Sequence, residues 1–534
     1  MPFGDRPLHS GMSDSPQSPS EARRIRWLPL WIIVILLALA FGTLEFMQHP
    51  SAQQKWMKQA GIGLVGAGLI AVWFLFLSRI DLAIRKKTAL GVVVLGLVAV
   101  GLFRYEGVSG DLYPRFGWRW GQSGPPPLEA HQSTATSPVA TPEGAADFPQ
   151  FLGPNRNGKL TGPKLALDWK KSPPKELWRR PVGQAWTGFS ISGGLAITQE
   201  QREEQELVVC YSLLTGDIIW SHADDVRYEN SLGGVGPRAN PTIDSGRVYT
   251  FGAKGTLNCL ELATGRLIWA KNVIDSNGGS VPEWGASCSP LVVSDAVVVA
   301  AGQPKGGTLA AYHKETGIRL WISGNQAASY SSPIVAKLGG VEQIVYFGPQ
   351  ALAGFDIASG KLLWEYPCFP AHPHVANPVP LLESSVLVSV GYGQGSALVN
   401  VSRAADGTWK AEQTWKLNRM KAKFTNLIEF GGLIFGLDDG NFACLNPNTE
   451  TGEASLLWKE GSYGHGQTLL VDKVLLVMAE DGSVVLLEPN PSGLKEITQA
   501  KLLKDKTWNP PALAGRYLLV RNDKEAACFL LPVE

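Results

Sequence analysis

Residues 210–220 read CYSLLTGDIIW, 259–269 CLELATGRLIW, 311–321 AYHKETGIRLW and 354–364 GFDIASGKLLW. Each has a small residue first, Thr/Ser-Gly at the sixth and seventh positions, and Trp at the eleventh. A weaker copy ends at Trp415, and CLNPNTETGEASLLW (444–458) is a longer one. Trp178, in KELWRRPV, precedes the first full copy. From Trp178 to Trp458 the tryptophans are 42, 49, 52, 43, 51 and 43 residues apart. A period in the forties that carries several short strands is a β-propeller blade.

One unit, PTIDSGRVYTFGAKGTLNCLELATGRLIWAKN, alternates apolar runs with Gly-containing turns. It predicts a four-stranded antiparallel meander, since tight hairpins need residues that tolerate positive φ. After Trp458 there is one further blade, and then PPALAGRYLLVRNDKEAACFLLP, which supplies only three strands. The Trp178 segment provides a fourth. The expectation is an all-β, eight-bladed propeller over 148–534, its last blade closed by strands from both ends of that region. Closure removes the sheet edges that would otherwise invite aggregation.

The chain has 534 residues, 45% hydrophobic and 18% charged, with 59 Gly and 36 Pro. Its apolar content excludes a wholly disordered chain. Net charge is +1, leaving no basic footprint for nucleic acid. Three apolar runs, Trp27–Met47, Ala60–Leu77 and Thr88–Phe103, predict a three-helix membrane anchor over 27–103, after a tail of 1–26. Arg23, Arg24 and Arg26 precede the first run, and Arg79, Arg85, Lys86 and Lys87 precede the third. By the positive-inside rule both clusters are cytoplasmic, which places the propeller on the periplasmic side of the inner membrane. The first run is too long for a signal peptide, whose apolar stretch is about 7–15 residues. Residues 104–147 read as an interfacial aromatic segment (GVSGDLYPRFGWRW) and then a Pro/Ser/Thr-rich flexible tether.

The Thr-Gly-x-x-x-Trp repeat resembles the tryptophan-docking motif of the pyrroloquinoline-quinone (PQQ)-type propellers. FPQFLGPNRNG, ahead of the first blade, resembles the lead-in segment of BamB-like proteins. In that motif Trp178, Trp220, Trp269, Trp321, Trp364, Trp415 and Trp458 dock between blades. The facing position is then small: Cys210, Cys259, Ala311, Gly354, Cys444 and Cys528. On this reading four of the six cysteines are small buried fillers rather than disulfide partners.

The resemblance implies a non-catalytic, membrane-tethered scaffold of the cell envelope, of the kind that serves envelope or outer-membrane protein assembly. Its partners would be other envelope proteins or polypeptide segments, with no cofactor. The alternative is a periplasmic PQQ-dependent dehydrogenase with PQQ and calcium. That enzyme type uses a Glu/Asn/Asp calcium site, an Asp base and usually adjacent cysteines, and no such set can be assigned here. Catalytic spellings such as H-E-x-x-H, G-x-S-x-G and the Walker loop are absent. His372-Pro373-His374 lacks a third fixed metal ligand.

The connections from each outer strand to the next inner strand open on one face, and they carry the candidate partner-binding residues. These are Tyr228, Glu229, Asn230, Arg238, Glu283, Trp284, Tyr330, His374, Lys423, His465 and Trp508. The two longest, 221–241 and 270–290, end in prolines (RANP, SCSP). Long loops on a rigid scaffold are where binding residues concentrate. Arg238 and Trp284 are therefore expected beside one another at the channel mouth.

Overall fold

In a computed structural model, residues 25–47, 52–121, 125, 128, 139–303, 305, 307–449 and 452–534 are described. The N-terminal tail as far as residue 24, and the tether between 122 and 138 apart from 125 and 128, lie outside the described residues. Two compact units form, one of apolar helices and one containing Arg104–Glu534.

The helical unit holds α1 (Leu28–Phe46), α2 (Ala52–Val72, continued by a π-turn over Trp73–Leu77) and α3 (Leu82–Leu102). Asp81 caps α3, its carboxylate accepting from the Ala83 N–H at 2.8 Å. Among the described residues, two helices rather than three are long and apolar enough to cross a membrane: Leu28–Phe46 and Gln53–Leu77. This corrects the three-span expectation. α3 has 21 residues but carries Arg85, Lys86 and Lys87 in its first turns, leaving an uncharged stretch of Thr88–Leu102.

The second unit is an eight-bladed propeller of four-stranded antiparallel sheets. Blades 1 to 7 begin on the inner strands Ser190–Ser192, Thr242–Asp244, Leu291–Val293, Ile334–Leu338, Val379–Leu381, Ile428–Phe430 and Gln467–Val471. Blade 8 joins Ala512–Ala514, Tyr517–Arg521 and Glu525–Leu530 to the outer strand Lys175–Pro181, so both ends of the region close the ring as expected.

The tryptophan rule has a geometric cause. Trp faces the small residue across the outer strand pair: Cys210 opposite Trp220, Cys259 opposite Trp269, Ala311 opposite Trp321, Gly354 opposite Trp364, Cys444 opposite Trp458 and Cys528 opposite Trp178. Blade 5 departs, with Leu398 opposite Trp415. The indoles of Trp178, Trp220, Trp269 and Trp321 then reach the Thr/Ser-Gly turn of the next blade, whereas Trp364 Nε1 donates to Gln343 Oε1 of its own blade. A Cβ on Gly216 or Gly265 would stand 2.5 Å from the ring of Trp178 or Trp220, and one on Gly317 would stand 2.7 Å from Trp269. Those glycines also have φ of +69°, +73° and +66°, so only Gly meets both demands. The indole N–H of Trp178 donates to Leu213 O at 2.9 Å, Trp220 to Leu262 O at 2.9 Å and Trp269 to Lys314 O at 3.1 Å. All six cysteines are buried and free.

A second seam runs round the channel, two residues ahead of the inner strands. Gly188 N–H donates to Asn240 Oδ1 (2.8 Å), and Asn240 N–H to Ser289 Oγ (2.9 Å). Ser289 N–H donates to Ser332 Oγ, Ser332 N–H to Asn377 Oδ1, and Asn377 N–H to Asn426 Oδ1, each at 2.9 Å. Every link joins one blade's buried backbone to the next blade's side chain, so six blades are laced by five bonds. Gln467 Nε2 (to Phe424 O and Trp508 O) and Asn509 Nδ2 (to Ala185 O and Thr187 O) bridge the rest of the ring.

The lead-in segment is part of the propeller. Phe148 bridges to Ile191, Pro149 O accepts from Ile243 N–H, and Lys159–Leu160 pairs in parallel with the inner strand of blade 7. Arg156, 6% exposed, donates to Ser289 O and Pro290 O. The described end of the tether also lies on the blades, with Asp147 accepting from Ser192 Oγ and Gly193 N–H, and Glu143 O from Tyr517 Oη.

Candidate binding chamber

The stretch before each inner strand decides what faces the channel. The hydrogen-bonded seam fixes the second residue before the strand, and the fourth residue before it is thereby aimed at the axis. These residues are Trp186, Arg238, Ser287, Tyr330, Val375, Phe424 and Trp508 in blades 1 to 6 and 8, and all seven line one cavity of about 410 Å³. Blade 7 has Tyr463 there, which opens on a different hollow. Trp284, Tyr392, Lys423 and, from the lead-in segment, Phe151 complete the walls. The described lining contains no Asp or Glu.

The rings pack on one another. Trp284 stacks on Tyr330 at 5.2 Å between centroids and lies 6.1 Å from Tyr392. Trp508 is 4.7 Å from Trp186 and 4.9 Å from Phe424. Cations sit on their faces: Arg238 over Tyr228 at 4.7 Å, Lys423 over Tyr392 at 5.1 Å, and Lys506 over Trp508 at 4.0 Å. Burial draws the Lys506 ammonium down to about 8 and also lowers Lys423, against the pull of Asp111. Two donors of the wall, Trp284 Nε1 and Tyr392 Oη, have no partner among the described residues. Unpaired buried donors are costly and are ordinarily satisfied by water or a ligand.

The sequence-selected residues divide into groups. Arg238 and Trp284 both line the chamber and both approach Gly233, at 3.2 and 3.3 Å from where its Cβ would be. Arg238 is less free than expected, however, because its guanidinium is bound to the carbonyls of Gly233 (2.8 Å), Gly234 (3.0 Å) and Gly236 and so holds its own loop. Tyr228 donates to Glu283 O and is buried, Asn230 Nδ2 donates to the same carbonyl at 3.1 Å, and Glu229 and Glu283 are exposed at the rim. Tyr330, Lys423 and Trp508 line the chamber. His465 is 2% exposed and sits beside it.

His374 is the correction. It is fully buried on Phe347 (3.9 Å between rings, 15°) between the carbonyls of Gly348 and Phe369, and it presents nothing to a partner. Burial holds it neutral, with its pKa lowered to about 4. Sequence reasoning missed Trp186, Tyr392, Phe424 and Phe151. For Trp186 and Phe424 a signal existed, because Trp186, Tyr330, Phe424 and Trp508 share one position relative to the inner strand. The docking tryptophan of the outer strands, present in every blade but the seventh, is the louder repeat and masks it.

Residues 204–452 match a family model described as outer membrane protein assembly factor BamB. No curated protein matches the chain. Among solved structures, the quinohemoprotein alcohol dehydrogenase of Comamonas testosteroni is 12% identical with a TM-score of 0.50, covering 73% of this chain and 81% of its own. BamB from Moraxella catarrhalis is 14% identical with a TM-score of 0.48, covering 67% of this chain and 100% of its own. At such identities the likeness is one of fold.

Proposed function

We propose that the chain is a membrane-tethered binding scaffold of the cell envelope that holds a polypeptide segment at the channel mouth. The observation that carries this is the chamber wall: seven aromatic side chains, cations on their faces, two unpaired donors and no carboxylate among the described lining residues. Such a wall suits a segment offering an apolar or aromatic side chain together with carbonyl or carboxylate acceptors. Rigid aromatic anchors beside a cation are what binding hot spots are made of. The match of residues 204–452 to the BamB family model supports the same reading.

The quinone-enzyme alternative fits less well. A planar acid could stack on these rings, but calcium is held by oxygen ligands dominated by carboxylates. The described lining has none.

Placement outside the cytoplasm rests on the match of residues 204–452 to a family model of an outer-membrane assembly factor. Reporter fusions at Asp147 that read cytoplasmic would overturn this placement.

The test of binding is site-specific photo-cross-linking from the full chain in envelope membranes. A cross-linker at Trp284 should give a discrete polypeptide adduct, lost with Tyr392→Phe and Lys423→Gln combined, and one at the exposed Leu382 should not. Equal adducts from both positions, or none, would refute the scaffold. Dye-linked alcohol oxidation after adding the quinone and calcium would favour the enzyme.

A further inference from the structure

The segment expected to ride the membrane interface does something else. Phe103–Val108 and Pro114–Trp118 pair as a two-stranded hairpin, and its turn, Ser109–Tyr113, enters the mouth of the channel. The turn is preset. Ser109 N–H donates to Tyr113 O (2.9 Å), Leu112 N–H to Ser109 O (2.9 Å), and Ser109 Oγ accepts from Tyr113 N–H (3.1 Å).

Four propeller groups read its backbone and its one acid. Glu480 Oε1 accepts from Gly110 N–H at 2.7 Å, and Lys423 Nζ donates to Gly110 O. Lys506 Nζ donates to Val108 O at 2.8 Å, and His465 Nε2 lies 3.0 Å from Asp111 Oδ1. Lys423, His465 and Lys506 are 3%, 2% and 7% exposed, so these are built contacts and not surface encounters. Glu480 is itself fixed, accepting from Trp508 Nε1 at 3.0 Å and from His465 N–H at 2.8 Å. The fit is also steric, because a Cβ on Gly110 would fall on the His465 ring.

The arms are held differently. Arg115 pairs with Asp505, and Lys524 pairs with Asp505 at 2.7 Å and Glu106 at 3.0 Å, all partly solvent-exposed. Exposed pairs of this kind are weak and screened by salt. The hairpin is thus specified at its tip and loosely held at its sides, the form of an exchangeable occupant.

The geometry points to a receptor for a β-turn carrying Gly followed by an acidic residue, occupied in cis by Ser109–Tyr113 and open to a partner's turn of the same chemistry once that hairpin leaves. This rests on the scaffold reading and names the recognised element. It also makes the hairpin a competitor. A tethered segment presents itself at an effective concentration on the order of millimolar, so it can weaken a trans ligand about 100-fold without touching the ligand's own contacts.

The test uses the full chain in detergent and a fluorescent cyclic peptide of residues 104–118, closed by an added disulfide between its ends. Wild type should bind it weakly. Gly110→Ala in the chain, which excludes the resident tip, should bind it about 100-fold more tightly. The same peptide carrying Gly→Ala at its own turn should not bind. If Gly110→Ala disturbs folding, Glu106→Gln with Arg115→Ser loosens the arms without entering the mouth and should also tighten binding, by a smaller factor. Equal binding by wild type and released chains, or binding that ignores the peptide's glycine, overturns the proposal. If the released chains fail to bind while the Trp284 adduct persists, the turn receptor falls and the scaffold stands. If both are absent, both fall.

Discussion

The docking of tryptophan on the next blade's Thr-Gly turn makes a prediction that separates packing from coincidence. Trp220 is fully buried, bonded through its N–H to Leu262 O, and lies on Gly265, whose φ is +73°. Trp220→Ala should cost about 3–5 kcal/mol, the usual range for deleting a large buried aromatic. Gly265→Ala should cost roughly 1 kcal/mol for holding an L-residue in the left-handed region. With Trp220 present it should cost a further 1–3 kcal/mol for forcing a methyl against the ring. In the Trp220→Ala background the second part disappears because the obstacle is gone. The double variant should therefore be more stable than the sum of the singles by about 1–3 kcal/mol. Urea unfolding of the detergent-solubilised chain, followed by circular dichroism and checked for reversibility, measures the cycle. Additivity within about 0.5 kcal/mol would mean that Gly265 is needed for its backbone alone and that the indole does not bear on the turn.

Three further outcomes are expected. Asn377→Ala removes the acceptor for Ser332 N–H in the seam and should lower stability by about 1–3 kcal/mol, while Asn377→Ser, which retains a short acceptor as at Ser289 and Ser332, should recover part of it; thermal melts read both. His374 is buried and neutral with its pKa lowered from 6.5 to about 4, so the unfolded chain takes up a proton first as pH falls. Its contribution is complete above about pH 6.5 and lost as pH drops towards 4, and His374→Gln should flatten the pH dependence of the melting temperature in that window. Raising salt should speed amide exchange in the arms of the hairpin, where the pairs are exposed, before it affects the amides of Val108–Leu112; simultaneous release would show that the tip is held no better than the sides.

How far the sequence reached follows from the range of each interaction. Thr-Gly-x-x-x-Trp is local: turn, strand and indole fall within eleven residues and recur, so blade count, closure from both ends and the small residue facing every docking Trp but Trp415 were all legible. Arg238 beside Trp284 was legible too, because two long loops of adjacent blades end at equivalent places. His374 was not, since nothing in HPH distinguishes a rim histidine from one stacked on Phe347, 27 residues earlier in the chain. α3 was misjudged because its basic first turns count against the same residues that make its remainder apolar.

The hairpin was hidden for a deeper reason. Its partners Lys423, Glu480 and Lys506 lie more than 300 residues away, in blades whose repeat makes no mention of them. Aromatics after an apolar helix read locally as an interfacial belt, and Tyr105, Phe116 and Trp120 are indeed exposed. Gly110 and Asp111 between them read as an ordinary turn pair. Only the closed ring, by bringing blades 6, 7 and 8 to one mouth, gives that turn something to recognise. A repeat therefore discloses the scaffold and conceals the site, because the site is made of the residues in which the blades differ.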